Sequence, residues 1–227
     1  AGGISNNTTL NTCEIYDPAT GIWTSAATLD GGRAYHTATL LQNGKVLVAG
    51  GVTQSNSSGI SWTEIYDPVT NDWTPTNNRL TVGRYLQTAA LLDNGKVLVA
   101  GGYGLNDLLA SSEIYDPITF LWSPSGNLSA PRAAHTATLL PNGKVLAAGG
   151  SAGNSGSSEL YDPTTGIWTV SGSFSPNQVQ HTATRLPNGK VLVAGGRNTT
   201  ELSNSSIYDP NFGTWTPTAN MLNARSQ

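Results

Sequence analysis

One sixteen-residue phrase recurs along this chain. It reads "HTATLLQNGKVLVAGG" at His36–Gly51, "HTATLLPNGKVLAAGG" at His135–Gly150 and "HTATRLPNGKVLVAGG" at His181–Gly196, while a fourth copy, Gln87–Gly102, opens on Gln. A second phrase alternates with it: "EIYDPATGIW" (Glu14–Trp23), "EIYDPVTNDW" (Glu64–Trp73), "EIYDPITFLW" (Glu113–Trp122), "ELYDPTTGIW" (Glu159–Trp168) and "SIYDPNFGTW" (Ser206–Trp215). About ten residues past each Trp stands Arg33, Arg84, Arg132, Gln178 or Arg225. The double glycines fall 46 to 51 residues apart. Such a period requires one small unit built several times and packed on its own copies.

Each unit reads as four short strands. Strand A is the HTATLL segment, and strand B, KVLVAGG, is apolar at consecutive positions, as in a strand buried on both faces. An Asn-Gly step joins them, and the expectation is a hairpin turn with both residues at positive φ. Strand C is the EIY stretch and strand D starts near the Trp. Between them, DPxTG supplies a capping Asp, a Pro with preset φ and an exit Gly. The units are 33–83, 84–131, 132–177 and 178–224; residues 1–32 hold strands C and D only, and 225–227 begin another unit. A four-stranded unit cannot bury both faces alone. Arranged radially the units cover one another, so one all-β propeller domain over 1–227 is expected. The double glycines should admit the neighbouring blade's aromatics, and the repeated Tyr and Trp should fill the space between blades.

Hydrophobics followed by Gly-Gly, a spaced Tyr and a Trp near the unit's end resemble the Kelch repeat. "LLPNGKVLAAGG…ELYDPTTGIW" is most similar to the Kelch blades of the galactose oxidase and glyoxal oxidase group. The resemblance spans essentially the whole chain and implies four-stranded antiparallel blades in a ring of six or seven, closed by strands from the two chain ends. About 4.5 blades are present here, with five C–D pairs against four A–B hairpins. The expectation is therefore a part of a longer chain, the alternative being a five-bladed ring short of one hairpin. Unpaired strand edges at the gap would favour self-association.

Composition narrows the chemistry. Charged residues make up 11% of the chain and the net charge is −3, which argues against nucleic acid as a partner. No apolar run approaches the roughly 18 residues of a membrane span, so membrane insertion is not expected. The single cysteine, Cys13, permits no intrachain disulfide. The only histidines, His36, His135 and His181, share one repeat position. Copies on neighbouring blades should lie roughly 8–10 Å apart, too far to share a metal whose ligand nitrogens sit about 2 Å away. They are read as structural, bonding a neighbouring loop carbonyl; Gln87 can replace such a donor. No nucleophile motif interrupts the repeat, the YDP aspartates read as turn caps, and neither cofactor nor catalysis is expected. The galactose oxidase resemblance does imply a second reading, because that group carries an adjacent Tyr-His pair of copper ligands where Tyr35 and His36 stand. Cys13 precedes a strand C rather than lying in strand A, where the group's Tyr–Cys cross-link would need it.

Binding is the better reading. The B–C and D–A loops emerge on one face and differ most between copies, and loops on a rigid scaffold are usual carriers of recognition. Arg33, Arg84 and Arg132 enter strand A at the channel rim, where the Kelch resemblance implies contact with acidic or hydroxyl-rich ligands, unless each ties down its own loop. Trp62, Tyr103, Arg197 and Glu201 break the repeat within B–C loops. The sequence thus points to a non-catalytic module for a protein or carbohydrate ligand, secreted or on a cell surface. Asn6, Asn7, Asn56, Asn127, Asn198 and Asn204 stand in glycosylation triplets in these loops, which are rich enough in Ser, Thr and Asn to form them by chance.

Overall fold

In the computed structural model, residues 1–54, 58–151 and 156–226 are described. Among them are four four-stranded antiparallel sheets and two two-stranded ones, arranged as a propeller. A small hairpin, β1 (Ile4–Ser5) and β2 (Thr8–Thr9), precedes the half-blade β3 (Cys13–Asp17) and β4 (Ile22–Ala26). The first full blade is β5 (Thr37–Leu40), β6 (Val46–Ala49), β7 (Thr63–Asp67) and β8 (Asp72–Pro75). The second is β9 (Thr88–Leu91), β10 (Val97–Ala100), β11 (Ser112–Asp116) and β12 (Leu121–Pro124). The third is β13 (Thr136–Leu139), β14 (Val145–Ala148), β15 (Ser157–Asp162) and β16 (Ile167–Ser173). The fourth is β17 (Thr182–Arg185), β18 (Val191–Ala194), β19 (Ser205–Asp209) and β20 (Thr214–Pro217). Strands run in sequence order within each blade, and the A strands β5, β9, β13 and β17 are successive neighbours around the axis.

The continuous apolar run of strand B is explained by its position. Val97, Leu98, Val99 and Ala100 are all buried, with alternate residues facing opposite neighbours. Leu47, Ala49, Ile65 and Leu80 of the first blade pack on Val97, Val99, Tyr115 and Trp122 of the second. The same set recurs at the next two interfaces. Tyr and Trp sit opposite each other in the C–D register, their rings 5.1–5.2 Å apart as in Tyr66–Trp73 and Tyr115–Trp122. Each indole N–H then donates to the preceding blade: Trp122 to Thr63 Oγ1 at 3.0 Å, Trp168 to Ser112 Oγ at 3.2 Å and Trp215 to Ser158 Oγ at 2.9 Å. The aromatics thus fill the interfaces and also fix their register.

Two local expectations need correction. At the A–B turn only the glycine is left-handed (Gly44, φ 81°); Asn43 instead accepts the Lys45 N–H on its side chain. Leu41 bonds Lys45 across three intervening residues and also accepts from Gly44, giving a type I turn with a left-handed Gly. The double glycines, for their part, accommodate strand A more than aromatics. A Cβ on Gly101 (φ +64°) would lie 2.4 Å from the Arg132 carbonyl and 2.9 Å from the His135 ring, and one on Gly102 would lie 3.0 Å from Gln87 Cβ.

Candidate functional site

The recurrent arginines are withdrawn from the channel rim. Arg33, Arg84 and Arg132 are each 0% exposed. Arg84 donates through Nη1 to the carbonyls of Gly101 and Ser111, both at 2.9 Å, and through Nη2 to Ser111 Oγ at 3.0 Å and Glu113 Oε1 at 2.9 Å. Arg132 repeats this with Gly149, Ser157 and Glu159, the ion pair closing at 2.7 Å. Arg33 pairs with Glu64 in the same way. The second carboxylate oxygen of each glutamate accepts a D–A loop N–H: Asp30 at 3.0 Å, Thr81 at 2.8 Å and Ser129 at 2.7 Å. Burial pulls each guanidinium below its ordinary pKa, and the facing glutamate pushes back. Each guanidinium thus ties down its own loop from within the fold.

The histidines are also internal, and strand A of the preceding blade supplies a partner that was not expected. His135 Nε2 meets Thr88 Oγ1 at 2.9 Å, and His181 Nε2 meets Thr136 Oγ1 at 3.0 Å, so each bridges to strand A of the preceding blade. Gln87 donates instead to the carbonyl of Ala49 at 2.8 Å. Burial first, then the nearby Arg132 and His181, drive His135 down to about 3; burial drives His181 to about 4. His36, half-buried, is pushed to about 4 by burial and then by Arg33. Among the described residues no three His, Cys, Asp or Glu side chains gather to hold a metal ion. Cys13 is buried at the head of β3.

The loop face presents other groups. Tyr35 is 53% exposed and left-handed (φ 56°), and the residues at its position in the other blades, Leu86, Ala134 and Gln180, share that conformation (φ 53°, 51° and 53°). They form a backbone ladder between blades: Leu86 N to Tyr35 O (3.1 Å), Ala134 N to Leu86 O (2.9 Å) and Gln180 N to Ala134 O (3.1 Å). Since each precedes an innermost strand, the ladder makes a stiff rim around the channel mouth. Beside it Tyr103 stacks on Tyr85 (centroids 5.4 Å, 24°) and its hydroxyl lies 3.3 Å from Ser151 Oγ. Leu105 in the same B–C loop is 71% exposed. Arg197 and Glu201, both exposed, face each other across an isolated bridge. Trp62 is 42% exposed, with the Arg79 guanidinium 5.7 Å from its ring centroid. Of the triplet asparagines, Asn6, Asn7, Asn127 and Asn198 are exposed, Asn204 is half-buried, and Asn56 lies outside the described residues. Tyr85, Leu86 and Gln180 were not picked out from the sequence, although Leu86 and Gln180 share their place one residue before the strand-A Gln or His.

On the opposite face each lysine meets the aspartate of the C–D turn: Lys45–Asp67 at 2.9 Å, Lys96–Asp116 at 3.0 Å, Lys144–Asp162 at 3.1 Å and Lys190–Asp209 at 2.9 Å.

Fold and repeat together define a Kelch-type β-propeller. Residues 35–226 match the KLHDC2/KLHL20/DRC7 Kelch-repeats domain, and residues 1–29 match the Kelch motif; the chain belongs to this Kelch-repeat family. Among solved structures, that of YjhT superposes with a TM-score of 0.78 over 99% of this chain and 84% of that one, at 17% identity, a likeness of fold. No curated protein matches the chain.

Proposed function

We propose that this propeller is a non-catalytic protein-binding module whose recognition surface is the face formed by the B–C and D–A loops. The observation that carries this reading is the rim. A left-handed ladder, tied blade to blade, holds exposed Tyr35 beside the stacked Tyr85–Tyr103 pair and exposed Leu105. Rigid aromatics lose little side-chain entropy on binding, and Tyr is enriched among residues that dominate interfaces. The opposite face, by contrast, is built from repeated turns with internally paired charges. The test is affinity purification with the wild type, Tyr35→Ala with Tyr103→Ala, and a control altered on the opposite face at exposed Ile118 and Phe120. A partner retained by the control and lost from the tyrosine variant supports the reading. A partner lost only from the control moves the surface to the other face.

For residues 1–227 taken by themselves we also propose self-association, from a different observation. Ile15, Tyr16, Ile22 and Trp23 of the half-blade are 43–63% exposed, whereas Tyr115, Trp122, Tyr161 and Trp168 at the corresponding places are at most 8% exposed. Strand β3 pairs only with β4 among the described residues, leaving one edge free.

A further inference from the structure

Trp62 breaks the repeat at a position where the other copies show what the fold itself prefers. Ser111 and Ser157 occupy the same place, immediately before the strand-C pair that contains Glu113 or Glu159, and each hydroxyl lies 3.0 Å from an Arg Nη2. With Trp62 there, Arg33 has no hydroxyl partner, and its Nη1 contact to the Gly50 carbonyl stretches to 3.4 Å against 2.9 Å for the Arg84 and Arg132 counterparts. The first blade therefore has a poorer clamp and an indole that is 42% exposed.

The ground beside the indole is open. Gly31 stands where the other D–A loops have Val82, Ala130 and Pro176, and a Cβ there would come within 3.8 Å of Trp62 Cζ3. A shallow cavity of about 540 Å³ is lined by Thr9, Gly31, Gly32, Thr53, Gln54 and Trp62. Its wall is braced, since the Gln54 N–H donates to Thr9 Oγ1 at 3.1 Å, and Gly32 touches the Thr9 backbone so closely that an added Cβ would sit 2.2 Å from its carbonyl oxygen. The Gln54 carboxamide makes no hydrogen bond among the described residues. Arg79 lies over the ring within an adjoining cavity that also holds Asp30 and Glu64.

We infer that this cleft is a carbohydrate-binding site in which the indole of Trp62 stacks against the C–H face of a neutral pyranose. The lining selects that chemistry. Among the described residues the cleft's own lining carries no charged side chain; Arg79, Asp30 and Glu64 lie in the adjoining cavity that shares Trp62. Nor does that lining contain an aliphatic residue, so an apolar peptide side chain would find one aromatic plane and otherwise hydroxyls, an amide and glycine backbone. A pyranose ring has that same division, with an apolar face for the indole and a hydroxyl rim for the Gln54 carboxamide and the Thr9 hydroxyl. The cleft shares the loop face with the proposed protein-binding rim but uses none of its residues, so either can fail without the other.

Saturation-transfer NMR of the full chain, with the methyl glycosides of glucose, galactose, mannose and N-acetylglucosamine at millimolar concentration, tests this. The decisive variant is Trp62→Ser, which installs the repeat's own residue; it is expected to melt at or above the wild-type temperature. At least one glycoside should receive saturation on its ring C–H protons from the wild type, and equally from Tyr35→Ala. Trp62→Ser should weaken its affinity about tenfold or more, the scale of losing one aromatic stacking surface. Absence of transfer to all four glycosides overturns the assignment, as does transfer undiminished in Trp62→Ser. A marked fall in melting temperature for Trp62→Ser overturns it too, because the indole would then be structural.

Discussion

At the scale of single residues, the strand-A histidines show how one position can hold a titratable group without using its titration. His135 and His181 are buried, and their rings are driven well below the ordinary histidine pKa, to about 3 and about 4. The unfolded chain therefore binds protons that the folded chain refuses between about pH 6.5 and those values. Stability is complete above pH 6.5, falls as the pH drops through that window, and is lowered by roughly 2 kcal/mol per histidine at pH 5. Changing His135 and His181 together to Gln imitates Gln87, which keeps a donor and does not titrate. Thermal melts at pH 7 and pH 5 should show a smaller acid shift for the double variant than for the wild type. An equal shift would place the acid sensitivity elsewhere. The sequence disclosed the structural role because Gln occurs at the same position, but not the partner, since a threonine hydroxyl on the preceding blade cannot be read from spacing.

The lesson at the scale of elements concerns the join between the D–A loop and strand C. The carboxylate of Glu159 holds both Arg132 and the loop N–H of Ser129. In the fourth blade Gln178 replaces the arginine and Ser206 the glutamate, both at once. That paired loss was visible in the sequence and specifies a contact between two segments almost thirty residues apart; read one position at a time, it left open whether the arginines meet a ligand at the rim or tie down their own loops. Repeat comparison likewise gave the strands and their buried faces, because periodicity records burial. It gave the turns less well, because Asn-Gly serves more than one hairpin geometry. The pairing is open to a double-mutant cycle. Glu159→Ser alone strands a buried guanidinium and should cost about 3–5 kcal/mol. Adding Arg132→Gln should restore most of that, since the fourth blade folds with this pair. Urea unfolding measures both, and additive losses would mean that the two groups act separately.

For the whole molecule, what matters is that each blade is completed by its neighbour. Three successive interfaces bury the same set of side chains, and the half-blade leaves the corresponding aromatics, Tyr16 and Trp23, 49% and 63% exposed. The half-blade therefore joins exposed aromatic surface to a free strand edge, β3 pairing only with β4 among the described residues. Such edges recruit another strand unless a charge or proline obstructs them. Residues 1–227 in isolation should therefore associate as concentration rises, seen as an increasing weight-average mass in sedimentation equilibrium. Placing lysine on the half-blade at Ile15 should shift that association to at least about tenfold higher concentration, as removing one apolar contact and adding a desolvation penalty predicts. A lysine at Val69, 90% exposed in a turn of the first blade, adds the same charge away from the edge and should leave the mass curve unchanged. If both substitutions act alike, net charge governs association and the edge has no special part in it; if neither acts, the contact lies on another surface.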